Sequence, residues 1–389
     1  MQDRQTAAAK LLHTLLQLEP ENVDVLLCQA DLYLYDGKND DAKRIFKKLV
    51  LHPVGRVDEI CLSIGFIYFD HKMYAEARTF LSHGYSHGGQ RNYDLCFQLA
   101  VCNEQLGFSD EAIRIYNIIL DHDPYSNDAW FNLGQIYFMR GQYDEALEAY
   151  DYASITGKDD FQAFLQIAHC YFQKESYQKA LEAYQNYSKR SNDQSAPIHI
   201  FMGECYEQME NLDEAYRLFE KATVIDPENP DGWAGMCICL MDSNKYHEAL
   251  PLIQKAIRIN SEVGSYWVYL GDIYENLNEL QLALNAYFHA QIYFTDSAEI
   301  NASIGEIYVY LGNFEAALSY LLKAKASSST IEELPLLLAI CFYKLGQVDQ
   351  ASDHLTLAIL KKQENEKAFF ELCPEAKEDP HFTNFNHEN

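Results

Sequence analysis

Apolar residues recur along this chain with the spacing of a helix face, and short polar turns interrupt them at regular intervals. Between Asn127 and Lys158, Trp130, Leu133, Gly134 and Tyr137 mark one face of a first helix, and Ala146, Tyr150 and Ala153 mark one face of a second. The arrangement returns at Trp267, Leu270, Gly271 and Tyr274, followed by Ala283, Tyr287 and Ala290. The intervening sequence tiles with the same unit. Units begin near Val23, Asp58, Tyr93, Asn127, Phe161, Ala196, Pro230, Gly264, Ala298 and Glu332, at intervals of 34 or 35 residues, which predicts ten helix pairs.

Each recurring position has a physical reason. A small residue in the first helix (Ala30, Gly65, Ala100, Gly134, Ala168, Gly203, Cys237, Gly271, Gly305, Ala339) lets the paired helix approach closely. Three residues on, nine units carry a large side chain (Tyr33, Tyr68, Tyr137, Tyr171, Tyr206, Leu240, Tyr274, Tyr308, Phe342) and the third carries Asn103. The turn takes Gly37, Gly107, Gly141, Gly312, Gly346, Asn244 or Asn278, residue types that accept the left-handed conformation of a helix C-terminus. The second helix places alanine at the same position in every unit, from Ala42 to Ala351.

Residues 3 to 20 read as a single helix, with Ala8, Leu12 and Leu15 in second-helix register, so residues 1–22 form a half-repeat that is either a fragment's edge or an N-terminal cap. Full repeats occupy 23–362, a capping helix with Phe369 and Phe370 occupies 363–373, and 374–389 reads as a polar tail. Two junctions look loose: His83 to Gln90, with Gly84, Gly88 and Gly89, and the polar stretch Ser188 to Ser195.

Over roughly residues 3 to 373 the chain resembles the tetratricopeptide repeat (TPR) proteins, whose 34-residue helix–turn–helix unit carries this Trp/Leu/Gly/Tyr and Ala/aromatic pattern. The resemblance implies an all-α fold, a right-handed α-solenoid whose first helices line a concave groove for extended peptides or helices of partner proteins. The closing stretch Phe369 to Ala376 is similar to the ends of some bacterial TPR proteins.

Charge then narrows the partner. Asp and Glu total 58 against 30 Lys and Arg, a formal net charge of −28, which disfavours nucleic acid and anionic membrane surfaces. If first helices line the groove, the second, fifth, ninth, twelfth and thirteenth positions of each repeat form one stripe. Along it fall Asp31, Phe66, Phe69, Gln135, Phe138, His169, Phe172, Glu204, Glu207, Asp272, Glu275, Glu306 and Tyr310, with further carboxylates such as Glu104, Asp231 and Asp242; Lys344 is the one basic residue. The Lys/Asn clamp by which some TPR proteins hold acidic tails is absent, since Leu27 and Asp31, Leu62 and Phe66, Phe131 and Gln135, and Leu165 and His169 stand there. The expected partner is a basic and apolar protein segment.

No catalytic or cofactor constellation emerges. Glu204 with Glu207 and Asp272 with Glu275 are acid pairs three apart without a histidine, and His83 with His87 sits in a glycine-rich linker. Five cysteines (Cys102, Cys170, Cys205, Cys239, Cys341) occupy a position that other repeats fill with Leu or Ile, which makes them buried hydrophobes. With no apolar leader or span, a cytoplasmic scaffold is expected. Two alternatives are a substrate-recruiting region of a larger enzyme or secretion apparatus, and a homo-oligomer joined through the N-terminal half-repeat.

Overall fold

The computed structural model describes residues 12, 14–53, 55–157, 161–327, 331–382 and 385, and these contain α-helix and short 3-10 turns with no strand. The chain is an all-α solenoid built of helix pairs, and it divides into two compact units, 1–192 and 193–389. The boundary falls inside the polar stretch Ser188 to Ser195. Of the N-terminal half-repeat, Leu12 and residues 14–18 are described as helix and 19–22 as a turn; the others, Ala8 included, lie outside the described residues.

The first unit contains five pairs: Val23–Tyr35 with Asn39–Leu51, Val57–Asp70 with Tyr74–Ser86, Tyr93–Gln105 with Ser109–His122, Asn127–Met139 with Tyr143–Thr156, and Gln162–Gln173 with Tyr177–Ser191. The second contains Ala196–Gln208 with Leu212–Ile225, Pro230–Asp242 with Tyr246–Ile259, Gly264–Asn276 with Leu280–Tyr293, Ala298–Tyr310 with Phe314–Ser327, and Leu334–Lys344 with Val348–Lys361, closed by Asn365–Leu372. Within each unit a pair packs against the next, and consecutive first helices also touch, as Val57–Asp70 does with Tyr93–Gln105 and Ala196–Gln208 with Pro230–Asp242.

Sequence explains the pairing. Alanines 42, 77, 112, 146, 180, 215, 249, 283, 317 and 351 all have 0% exposure, because the first helix of the pair leaves room for a methyl group and no more. Facing them, Gly271 is so close to its partner helix that an added Cβ would lie 2.6 Å from Tyr287 Cε1. Several first helices are capped at their start by a side chain accepting from the backbone, as Asn92 does from Leu95 N and Ser126 from Ala129 N.

Ten residues in ten turns take positive φ: the seven expected Gly and Asn, and Lys72, Glu175 and Glu210 in the three repeats without them. The turn geometry is therefore imposed by the helix pair and is met even where the residue carries a Cβ that resists it.

Two expectations change. Gly84 and Gly89 do not loosen their junction: both are buried, and a Cβ on Gly84 would lie 2.7 Å from Cys61 Cβ and from Leu95 Cδ1. They let the chain close over Asp58, which is 4% exposed and receives Arg56 Nη2 at 2.7 Å and Asn92 Nδ2 at 3.0 Å. Beyond the capping helix, residues 374–382 are not a solvated tail. Two 3-10 turns carry Phe382 back onto Phe369, ring centroids 5.3 Å apart, and leave Phe382 1% exposed, because the last repeat has no neighbour to cover its apolar face.

Candidate functional site

In the first unit, the predicted groove residues lie on the first helices with distinct surroundings. Asp31 accepts from or pairs with His71 Nε2 at 2.8 Å across one repeat boundary, and Tyr35 packs edge-on to the same imidazole at 4.6 Å. Phe69, Phe138 and Phe172 repeat a single device: each turns an edge to the tyrosine that opens its own second helix (Tyr74, Tyr143, Tyr177), with centroids 5.2, 5.5 and 5.4 Å apart. Each of these phenylalanines is half-buried, whereas Phe66 and Gln135 are exposed. His169 is held from within, its Nδ1 2.7 Å from the Tyr184 hydroxyl, and burial pushes its pKa down, so it presents a neutral ring.

In the second unit, Glu204, Glu207, Asp272, Glu275 and Glu306 are half-buried on successive or near-successive first helices, and no ion pair engages any of them among the described residues. Burial is the dominant cause of their shifted titration. It raises Glu204 to about 7, with Asp231 and Glu207 adding repulsion, and raises Glu275 to about 7, where a hydrogen bond from Tyr287 opposes it and Glu306 and Asp272 add to it. Asp272, Glu207 and Glu306 are raised for the same first reason. Tyr310, 55% exposed, donates to Glu306 Oε1 at 3.1 Å. The predicted basic residue of the stripe, Lys344, pairs with Glu375 of the C-terminal turns.

Sequence reasoning missed the tyrosines of the second helices. Tyr287, buried to 1% exposure, passes its hydroxyl through the pair to within 2.6 Å of Asp272 Oδ1 and 2.8 Å of Glu275 Oε2. Tyr184 reaches His169 in the same way, and Tyr116 accepts from Asn132 Nδ2 at 3.1 Å. Tyr266 donates to Asp231 Oδ1 at 2.6 Å across a repeat boundary. A signal existed: a tyrosine four residues after the invariant alanine recurs at Tyr116, Tyr150, Tyr184 and Tyr287, and in three of these repeats an acid or histidine stands on the first helix within reach.

The described residues contain no group of three His, Cys, Asp or Glu able to hold a metal ion, and no described helix is long and apolar enough to cross a membrane. Nine of the ten cysteines are buried and all ten are unpaired; burial raises the thiols of Cys102, Cys170, Cys205, Cys239 and Cys341 to about 11 or 12.

Helix pairs of this length, with fixed small and aromatic positions, are similar to tetratricopeptide repeats. Residues 298–329 match the tetratricopeptide repeat family, and residues 127–283 match the family described as the cilia and flagella-associated protein 70 C-terminal domain. No curated protein matches the chain significantly. Among solved structures, the chain is similar to one described as the anaphase-promoting complex (APC/C) hetero-tetramer Cut9–Hcn1, at 14% identity with a TM-score of 0.51, over 88% of this chain and 94% of that one. It is also similar to PilF of Pseudomonas aeruginosa, at 19% identity, TM-score 0.48, over 54% and 94%, and to the TPR protein YrrB, at 19% identity, TM-score 0.40, over 53% and 96%. The Cut9–Hcn1 match is a likeness of fold.

Proposed function

We propose that the chain is a non-enzymatic scaffold that binds an extended or helical segment of a partner protein along the first helices, and that this segment carries lysine or arginine between apolar anchors. The observation that supports the reading most is the row Glu204, Glu207, Asp272, Glu275 and Glu306, half-buried and without ion pairs among the described residues. Holding carboxylates out of water costs free energy unless a cation meets them, and a lysine or arginine of the partner would supply it. In the first unit the half-buried rings of Phe69, Phe138 and Phe172 offer apolar seats of the kind that carry most of the affinity in an interface.

The test is fluorescence anisotropy with a labelled peptide alternating lysine with leucine and phenylalanine, beside its glutamate counterpart. The lysine peptide should bind at low salt, weaken at high salt, and be lost to a chain carrying Glu204→Lys, Glu207→Lys and Asp272→Lys; equal binding by that variant ends the groove reading. At pH 7 binding should release protons, since a cation favours the ionised form of Glu204 and Glu275.

The ten unpaired cysteines support a reducing, cytoplasmic setting. A second reading rests on the family match over residues 127–283, which favours a scaffold associated with cilia or flagella over the bacterial likeness of the closing stretch. Localisation of the tagged chain in a ciliated cell separates the two. Recruitment of substrate to a larger enzyme or secretion apparatus, and self-association through the N-terminal half-repeat, remain variants of the same scaffold; sedimentation of the chain without residues 1–22 tests the latter.

A further inference from the structure

The third repeat departs from the others at a position that eight of the other nine fill with a ring. In the second, ninth and tenth repeats, the large side chain of the first helix stacks on a ring twelve residues later: Tyr68 on Phe80 at 5.7 Å, Tyr308 on Tyr320 at 5.8 Å, and Phe342 on His354 at 5.3 Å. The corresponding residues of the third repeat are Asn103 and Ile115. Beside Asn103 and Ile115, an open cavity of about 370 Å³ lies between the second helix of the second repeat and both helices of the third. That volume falls in the range of small-ligand sites, roughly 300–1,000 Å³.

Its chemistry is specific. Leu99 and Ile115, both buried, give it an apolar floor. Asn103 is 2% exposed, and its Oδ1 accepts from Arg78 Nε at 2.6 Å, while the Arg78 guanidinium covers the Phe108 ring at 4.3 Å. Arginine Nε can only donate, so the amide oxygen must face it and the amide NH2 is the end left over. That NH2 donates to nothing among the described residues, and the hydroxyls of Ser82 and Tyr85 on the cavity wall have no hydrogen-bond partner there either. Arg114 also lines the cavity, 74% exposed, and among the described residues its one acidic contact is Glu111 at 3.9 Å. Two guanidinium groups and one carboxylate leave a positive mouth on a strongly acidic protein, above an apolar floor and a wall rich in donors.

We propose that this cavity binds an aromatic carboxylate, with the ring over Leu99 and Ile115 and the anionic group at Arg78, Arg114 and the Asn103 amide. None of these residues belongs to the acidic stripe, so the site is independent of the partner groove. The same chemistry could come from a free aromatic acid or from a polypeptide ending in tyrosine or phenylalanine.

Calorimetric titration of the full chain distinguishes them, with 3-(4-hydroxyphenyl)propionate, the corresponding amide, and acetyl-Gly-Gly-Tyr with a free carboxylate as probes. A carboxylate probe should bind saturably and the amide about tenfold more weakly, the loss of one charge-assisted contact. The tighter of the two carboxylates names the source. Asn103→Tyr, which supplies the residue most other repeats carry, should abolish binding, and Arg114→Gln, on an exposed side chain, should weaken it about tenfold. Absence of saturable binding by either carboxylate overturns the proposal, as does undiminished binding to Asn103→Tyr. If Asn103→Tyr does not fold, unchanged affinity in Arg114→Gln overturns it.

Discussion

The Tyr287 hydroxyl lies 2.6 Å from Asp272 Oδ1, joining a fully buried ring of a second helix to a carboxylate of the first. The same hydroxyl is 2.8 Å from Glu275 Oε2, so one phenol serves two acids that burial has already made costly to ionise. Tyr287→Phe keeps the ring and removes the donor. The variant should lose about 1–3 kcal/mol of unfolding free energy near neutral pH. The loss should shrink at pH 5, where Glu275 carries its own proton; urea denaturation at both pH values reads the difference, and an equal loss at both would sink the linkage.

Glu204 and Glu275 set a pH dependence whose sign follows from their shift. Each has its pKa raised from 4.5 to about 7 in the folded state, so folding favours the protonated form. The stability this contributes is complete below the unfolded value and is lost as pH rises through the folded one. The thermal midpoint of the second unit should therefore fall between pH 5 and pH 8, and Glu204→Gln with Glu275→Gln should flatten the profile. Differential scanning calorimetry of the two proteins decides it.

Asp58 predicts the opposite slope in the first unit. Burial works against its ionisation, but hydrogen bonds from Asn92 and Arg56 outweigh it and hold the carboxyl below its ordinary 3.8. Stability from this group is present above the unfolded pKa and lost as pH falls through the lowered folded one, and Asp58→Asn should remove that acid-side loss. Hydrogen exchange of the amides in Val57–Asp70 between pH 5 and pH 3 measures it locally.

Lys72, Glu175 and Glu210 occupy left-handed turns that seven other repeats give to Gly or Asn. A side chain there costs roughly 1–2 kcal/mol of backbone strain, and glycine returns about half of that in unfolded-chain entropy. Each of Lys72→Gly, Glu175→Gly and Glu210→Gly should stabilise by about 0.5–1 kcal/mol in chemical denaturation, and Gly141→Lys should do the reverse.

Close approach has its own test at Gly271, where an added Cβ meets Tyr287 at 2.6 Å from Cε1. Gly271→Ala should cost about 1–3 kcal/mol by forcing the ring or the helix aside. The cost should be visible as a lowered urea midpoint with circular dichroism at low denaturant unchanged.

The helix pairs, their turns and the buried cysteines were legible because repetition averages out local ambiguity: ten copies of an alanine at one register leave a single reading. The candidate site was legible only in part. Residues 2, 5, 9, 12 and 13 of each repeat could be named as one stripe, but not that His169 is braced by Tyr184 or that Lys344 is taken by Glu375. Those contacts join residues on different helices, and nothing in a residue's own periodicity encodes its partner.

By itself, then, the sequence determined the unit: two amphipathic helices of fixed length, a left-handed turn, and a small residue wherever two backbones touch, because these follow from local geometry and from the volume a Cβ occupies. Only tertiary packing decided the rest. Asp58 is charged and Glu204 and Glu275 resist charging because of what surrounds each carboxyl, donors in one case and apolar helix in the other. Gly84 and Gly89 are close-packed because Asp58, Cys61 and Leu95 fill the space a Cβ would need, and Phe382 returns to Phe369 because the last repeat has an apolar face with no successor to bury it.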